Sequence, residues 1–315
     1  MNSTIKNKDY GNYSIFSALV ITSVFLYSYF LLPYYYGGDQ FYYARLYTAY
    51  QTTAIWDIVS VGYSNSHASE PISLFVIWLG ANLGVDRIIY EAILNSILAF
   101  YITKFFKAYR VSYFTLFLIL LNGYVFALFF SAVRLKIGML VLLFLYTNKL
   151  LRKVSFISVF AHFSLAILLV SSTLIRFFSH KKSLRFNYRF LLMFLVFLGA
   201  SLYLIDPIIG KVINHFRVNE NYLDLVKMVV IGLMFYITLG ARYALTTLLI
   251  FSPLVFIFGS SRIIFFIFIL YLYYACEQGK ERNWIVRIFL FFGVAKSLFY
   301  IYSLMSYGDA FFIPV

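Results

Sequence analysis

Five ionisable side chains stand where chemistry could be done: Asp39, Glu70, Arg134, His162 and Arg262. Asp39 lies in "YYYGGDQFYYARLYTAY" (34–50), behind two glycines and just after an apolar run that ends at Leu32-Pro33. Glu70 directly precedes Pro71 and the apolar run "PISLFVIWLGANLG". A carboxylate at such a place can take the proton of a sugar hydroxyl as a general base, and partial burial raises a carboxylate's pKa toward the range that task needs. A pair of solvated loop carboxylates is the plainer alternative. Arg134, in "FFSAVRLKIGMLVLLF", sits between two apolar runs with Lys136 close by. A guanidinium matches phosphate oxygens with two parallel hydrogen bonds and never loses its charge; an arginine snorkelling at a helix junction is the alternative.

Arg262 opens an apolar run after "FGSS", as a second phosphate or sugar contact or as a charge marking the membrane interface. Arg45, Arg217 and Arg242 are weaker cations of the same kind. His162, in "SVFAHFSLA", is either a structural histidine or a group that orients its neighbours. Arginines suit a pyrophosphate, carboxylates a hydroxyl nucleophile, and tyrosines the faces of sugars. The chemistry implied is group transfer from a lipid-linked pyrophosphate to a sugar alcohol. Such a leaving group needs charge stabilisation more than protonation, which arginines supply without a metal. The one cysteine, Cys276, and four histidines (67, 162, 180 and 215) with no i,i+4 spacing give no metal-ligand pattern, and no cofactor is expected.

The elements that must position these groups are membrane helices. Of 315 residues, 63% are apolar and 12% charged, with a mean hydropathy of +0.85, where soluble domains carry ~25% charged residues. Apolar segments fall near 14–33, 71–84, 87–103, 112–131, 133–151, 154–175, 188–206, 224–240, 243–259, 262–276 and 284–304. Many are long enough for a hydrocarbon core of roughly 30 Å. The expected fold is all-α, a polytopic transmembrane helical bundle of nine to eleven spans with broken or re-entrant helices. Residues 1–13 form a cytoplasmic N-terminal tail before a retained first span, 14–304 a single transmembrane domain with outer loops 34–70 and 207–223, and 305–315 a C-terminal tail.

Segment 71–84 is short for a crossing, and 154–175 lies between two basic loops that both favour the cytoplasm. Two half-helices split near His162-Phe163-Ser164 would satisfy both loops, and irregular backbone at membrane depth belongs where it lines a protein-buried or water-filled cavity. The net charge of +14 is concentrated in short loops. It therefore reads as positive-inside bias and not as a nucleic-acid surface.

At these residues the sequence resembles the Wzy-type and EpsG-like polymerases of bacterial O-antigen and exopolysaccharide repeat units. The resemblance runs in order through "GGDQFYY" (37–43), "SEPISLFVIWLGANLGV" (69–85), "VRLKIGMLV" (133–141), "LLRKVSFISVFAHFSLA" (150–166) and "SSRIIFFIFILYLYY" (260–274), and ends at "FFIPV" (311–315). The chain departs from the pattern in "KIG" after Arg134, where Leu-Ala is commoner. The resemblance implies a membrane glycosyltransferase of the bacterial inner membrane. It would transfer the growing glycan from undecaprenyl pyrophosphate to the next lipid-linked repeat on the periplasmic or outer side. It further implies that Asp39, Glu70 and His162 are catalytic and that Arg134 and Arg262 bind the pyrophosphate. Its partners would be the undecaprenyl-pyrophosphate-linked oligosaccharide, membrane lipid and a chain-length regulator protein. An O-antigen ligase and a lipid-linked glycan flippase are the alternative functions, although loop 207–223 is short for a ligase and no internal repeats of the flippase kind occur.

Overall fold

Helix α1 (Tyr10–Leu31) contains most of the run Ile15–Tyr34, 20 residues with mean hydropathy 2.1, which is enough to cross a bilayer. This computed structural model describes residues 10–66, 68–179, 222–258 and 260–309. All regular structure among the described residues is helical. Two further helices are long and apolar enough to span: α5 (Arg87–Lys107; 21 residues) and α13 (Trp284–Tyr307; 24 residues). The chain is an all-α polytopic transmembrane protein. The nine to eleven spans expected from hydropathy are not matched by length among the described residues, where three helices qualify, or four if one bent pair counts as a single span. The apolar segments near 71–84 and 154–175 instead form helices of 12 and 15 residues, Pro71–Asn82 and Leu165–Ser179. The expected span 188–206 and most of the loop 207–223 lie outside the described residues.

The chain folds as two compact units. The first comprises residues 1–108, 116–162 and 293–315. Here α1 packs along α5, α2 (Gly38–Tyr50) packs on α3 (Ile58–Ser66) and α4 (Pro71–Asn82), and α8 (Val133–Thr147) packs on α4 and α5. Their shared core holds Tyr43, Leu46, Tyr50, Leu74, Ile77, Leu94, Val133 and Ile137. Local chemistry sets the boundaries. Asp86 caps α5 by accepting from the amides of Ile88 and Ile89 at 2.9 and 3.1 Å. Pro71, with no amide to lose, opens α4.

The apolar stretch expected as one span near 112–131 breaks into α6 (Tyr113–Leu120) and α7 (Gly123–Phe130), bent by 53°. Asn122 at the break caps α7 through Oδ1 to the Tyr124 amide at 3.0 Å. The break expected near His162 is present: a 3-10 stretch, Arg152–Phe160, ends there and α9 (Leu165–Ser179) begins beyond it. The second unit comprises residues 109–115 and 163–292 and packs α9 with α10 (Tyr222–Leu239), α11 (Ala241–Phe258) and α12 (Ser260–Glu277).

Candidate functional site

Helix α2 is the hub of the site. Its buried residues are Gln40, Tyr43, Leu46, Tyr47 and Tyr50, which is the spacing of one helical stripe. The preceding turn needs its glycines. Gly38 stands at φ +52, and Gly308, at φ +70, supplies the carbonyl that takes the amides of Tyr36 and Gly37 at 3.2 and 2.9 Å. A Cβ on Gly308 would sit 2.1 Å from the ring of Tyr36. The end of α13 thus seals the turn from which α2 starts.

One turn inside α2, the Tyr43 hydroxyl accepts the Nε–H of Arg134 at 2.9 Å. Arg134 Nη1 donates to Glu70 Oε2 at 2.6 Å, and the Ser69 amide donates to the same oxygen at 3.2 Å. Glu70 occupies the N-cap position of α4 in extended backbone (φ −80, ψ 104), held by Pro71. Arg134 is the second residue of α8, so its long side chain reaches back across the helix start. The Glu70 side chain is 8% exposed and that of Arg134 26%. Among the described residues, Arg134 Nη2 has no hydrogen-bond partner and the Tyr43 O–H no acceptor. Tyr43 lies outside the spanning segments. Burial pushes its phenol up to about 12 against the pull of Arg134, with Asp39 and Glu70 adding to the rise.

Asp39, in the first turn of α2, is exposed. Its charge, with that of Asp309, also helps to raise the Tyr35 phenol above its ordinary value, burial being the larger cause. The Ser73 hydroxyl lies between two backbone carbonyls, that of Ala161 at 2.5 Å and that of Arg134 at 3.2 Å. It therefore ties the 161–164 break to the start of α8. His162 follows Ala161 and is partly buried, and its amide donates to the Ser158 carbonyl at 3.1 Å. Arg262 falls in the first turn of α12, and its side chain lies outside the described residues. The structure therefore brings together Glu70 and Arg134, sets Asp39 within electrostatic reach of the Tyr43 phenol, and places His162 at a backbone tied to the same helix start.

A second polar cluster, unforeseen from sequence, adjoins the first. Gln40 Nε2 donates to Glu91 Oε2 at 3.0 Å and to the Phe130 carbonyl at 2.6 Å. Arg87 Nη1 donates to Gln40 Oε1 at 2.7 Å and to Glu91 Oε1 at 3.0 Å. Lys136, fully buried, donates to the Phe129 carbonyl at 3.1 Å and lies 3.5 Å from Glu91. Tyr43 and Glu91 line one small cavity with Tyr47, Ile77, Tyr90, Leu94 and Val133. The signal was present in the sequence: Glu91 is a carboxylate inside an apolar run, and such groups are costly at membrane depth. Tyr43 had none, as one of 29 tyrosines.

Most other buried tyrosines near the site do structural work. Tyr47, Tyr50 and Tyr90 donate to the carbonyls of Val85, Ile58 and Val76 at 2.9, 2.7 and 2.7 Å. Among the described residues no group of three or more His, Cys, Asp or Glu could hold a metal ion. What remains is a partly buried guanidinium and a phenol O–H, each without a further partner among the described residues, with the carboxylates of Glu70 and Asp39 near them. Such a set can grip an oxyanion and meet a hydroxyl. In comparisons with known proteins, no family model, no curated protein and no solved structure matches the chain.

Proposed function

We propose that this protein is a membrane glycosyltransferase of the bacterial inner membrane that polymerises lipid-linked oligosaccharide repeat units on the outer side of the bilayer. One observation carries the proposal: Arg134 is fastened on two sides, by Tyr43 at 2.9 Å and Glu70 at 2.6 Å, with a third edge open. A guanidinium so held is preorganised for an oxyanion, which is how charge developing on a pyrophosphate leaving group is stabilised. The ordered motifs from "GGDQFYY" to "SSRIIFFIFILYLYY" support the same reaction.

In this scheme the donor is the growing glycan on undecaprenyl pyrophosphate and the acceptor is a hydroxyl of the next lipid-linked repeat. The acceptor hydroxyl gives its proton to a carboxylate while its oxygen bonds to the anomeric carbon. The bond from that carbon to the pyrophosphate oxygen breaks, and its electron pair leaves with the pyrophosphate. Arg134 receives the new charge, and the Tyr43 O–H adds a second donor. Glu70, with Oε2 already engaged, holds Arg134 in place. The exposed Asp39 is the carboxylate placed to take the acceptor's proton. His162 orients the backbone end of this assembly, and Arg262 belongs to the phosphate-binding set by the resemblance alone. A chain-length regulator protein is the partner that the resemblance adds.

The test is Arg134→Ala in a cell that depends on this chain for polymer. Single-repeat glycan with no long chains is expected, and normal long chains would overturn the proposal. A complete polymer left unattached to its acceptor would instead indicate a ligase. Precursor trapped on the inner side would indicate a flippase.

A further inference from the structure

The second cluster has the makings of a binding site, not only of a brace. Arg87 engages Gln40 and Glu91 through Nη1 alone. Among the described residues its Nε and Nη2 have no partner, and its side chain is 22% exposed. Arg134 likewise keeps an open Nη2 and is 26% exposed. The two guanidiniums hold different residues of one stripe, Gln40 and Tyr43, whose Cβ atoms at i,i+3 on a helix are roughly 5–6 Å apart. Arg87 and Lys136 face Glu91, and Arg134 faces Glu70. Lys136 cannot be the group that meets the ligand, because its ammonium is fully buried. It compensates Glu91 from below and leaves Arg87 to turn outward.

We infer that Arg87 is a further phosphate-binding cation of this site, beside Arg134. Arg134 takes one phosphate of a prenyl-linked diphosphate and Arg87 the other, one turn apart along α2. The inference rests on the glycosyltransferase reading for the identity of the ligand. It adds a named residue, outside the set read from the sequence, and assigns to that residue the discrimination of diphosphate from monophosphate.

The experiment uses the full chain in detergent, titrated with farnesyl pyrophosphate, farnesyl monophosphate and inorganic pyrophosphate. Arg45→Ala serves as a control for simple loss of charge, because Arg45 is exposed on the same helix. The unaltered protein is expected to bind the prenyl diphosphate about tenfold or more tighter than the monophosphate, the scale of one charge-assisted contact pair. Arg87→Ala is expected to lose that preference while monophosphate affinity stays. Arg87→Lys keeps a cation beside Glu91 but not the planar fork, so it is expected to lose most of the preference too, and it gives the answer if the alanine variant fails to fold. An unchanged preference in Arg87→Lys, with binding lost in Arg134→Ala, overturns the role of Arg87 and leaves the proposed function standing. No binding of either prenyl ligand by the unaltered protein overturns both. Inorganic pyrophosphate bound as tightly as the prenyl diphosphate would mean a free anion as ligand, which sinks the lipid-linked donor.

Discussion

Tyr43 carries its proton up to about pH 12 because it is buried, so at any working pH it is a neutral donor. Its oxygen is already taken by Arg134 at 2.9 Å, and only the O–H remains to be given. Tyr43→Phe removes that hydrogen bond and the anchor of Arg134 together. If the proposed polymerisation is the activity, its rate is expected to fall by about ten- to a hundredfold, the worth of a charge-linked hydrogen bond. Because the phenol does not titrate in this window, the factor should be the same at pH 6, 7, 8 and 9. A factor that grows or vanishes across that series would show that Tyr43 acts as a base or not at all.

Which residues were legible in the sequence follows from contrast. Arg134 and Glu70 stood out because each is a charge at the edge of an apolar run, and the structure joins them. Glu91 and Arg87 were overlooked because at i,i+4 they look like a local pair on an ordinary helix; their engagement of Gln40 and Lys136 is long-range. Tyr43 could not be distinguished from its many fellow tyrosines by type.

The two breaks in apolar helices differ in how they can be foreseen. The one near His162 shows in the sequence because basic loops on both sides demand a return. The one at Asn122 is hidden inside a hydropathic run that reads as a single span, since hydropathy averages over one polar residue. Its cause is local: Asn122 Oδ1 caps the new helix, and its Nδ2 is buried with no hydrogen-bond partner among the described residues and pressed against α13. A Cβ on Gly293 would lie 1.7 Å from that nitrogen. Gly293→Ala is therefore expected to destabilise the protein by roughly 1–3 kcal/mol through overpacking. In Asn122→Ala, which costs about 1 kcal/mol as a lost cap, the added effect of Gly293→Ala should mostly disappear. Thermal unfolding of the four species in a double-mutant cycle reads this directly, and additive losses would show that the two residues do not meet.

For the molecule as a whole, composition settled the class, because 12% charged residues cannot clothe a water-exposed surface. It did not settle the number of crossings. Helices α4, α6, α7 and α9 are shorter than a bilayer needs, and their shortness follows from breaks and caps that a sliding average passes over. The side of the membrane on which α2 stands can be measured. With Cys276→Ser as background and Asp57→Cys as the reporter, just before α3, an impermeant maleimide is expected to label intact cells. Labelling only after lysis would place α2 and its neighbours in the cytoplasm and rule out an outward-facing reaction.

The turn before α2 is closed by a carbonyl that the ribosome makes some 270 residues later, Gly308 to Tyr36 and Gly37. Until translation reaches that carbonyl, two backbone amides beside Asp39 lack their native acceptor. A nascent chain, even one already threaded into the bilayer, would therefore hold the start of α2 unlatched. The native geometry around Asp39 would arrive only once residue 308 has been made and has reached this turn.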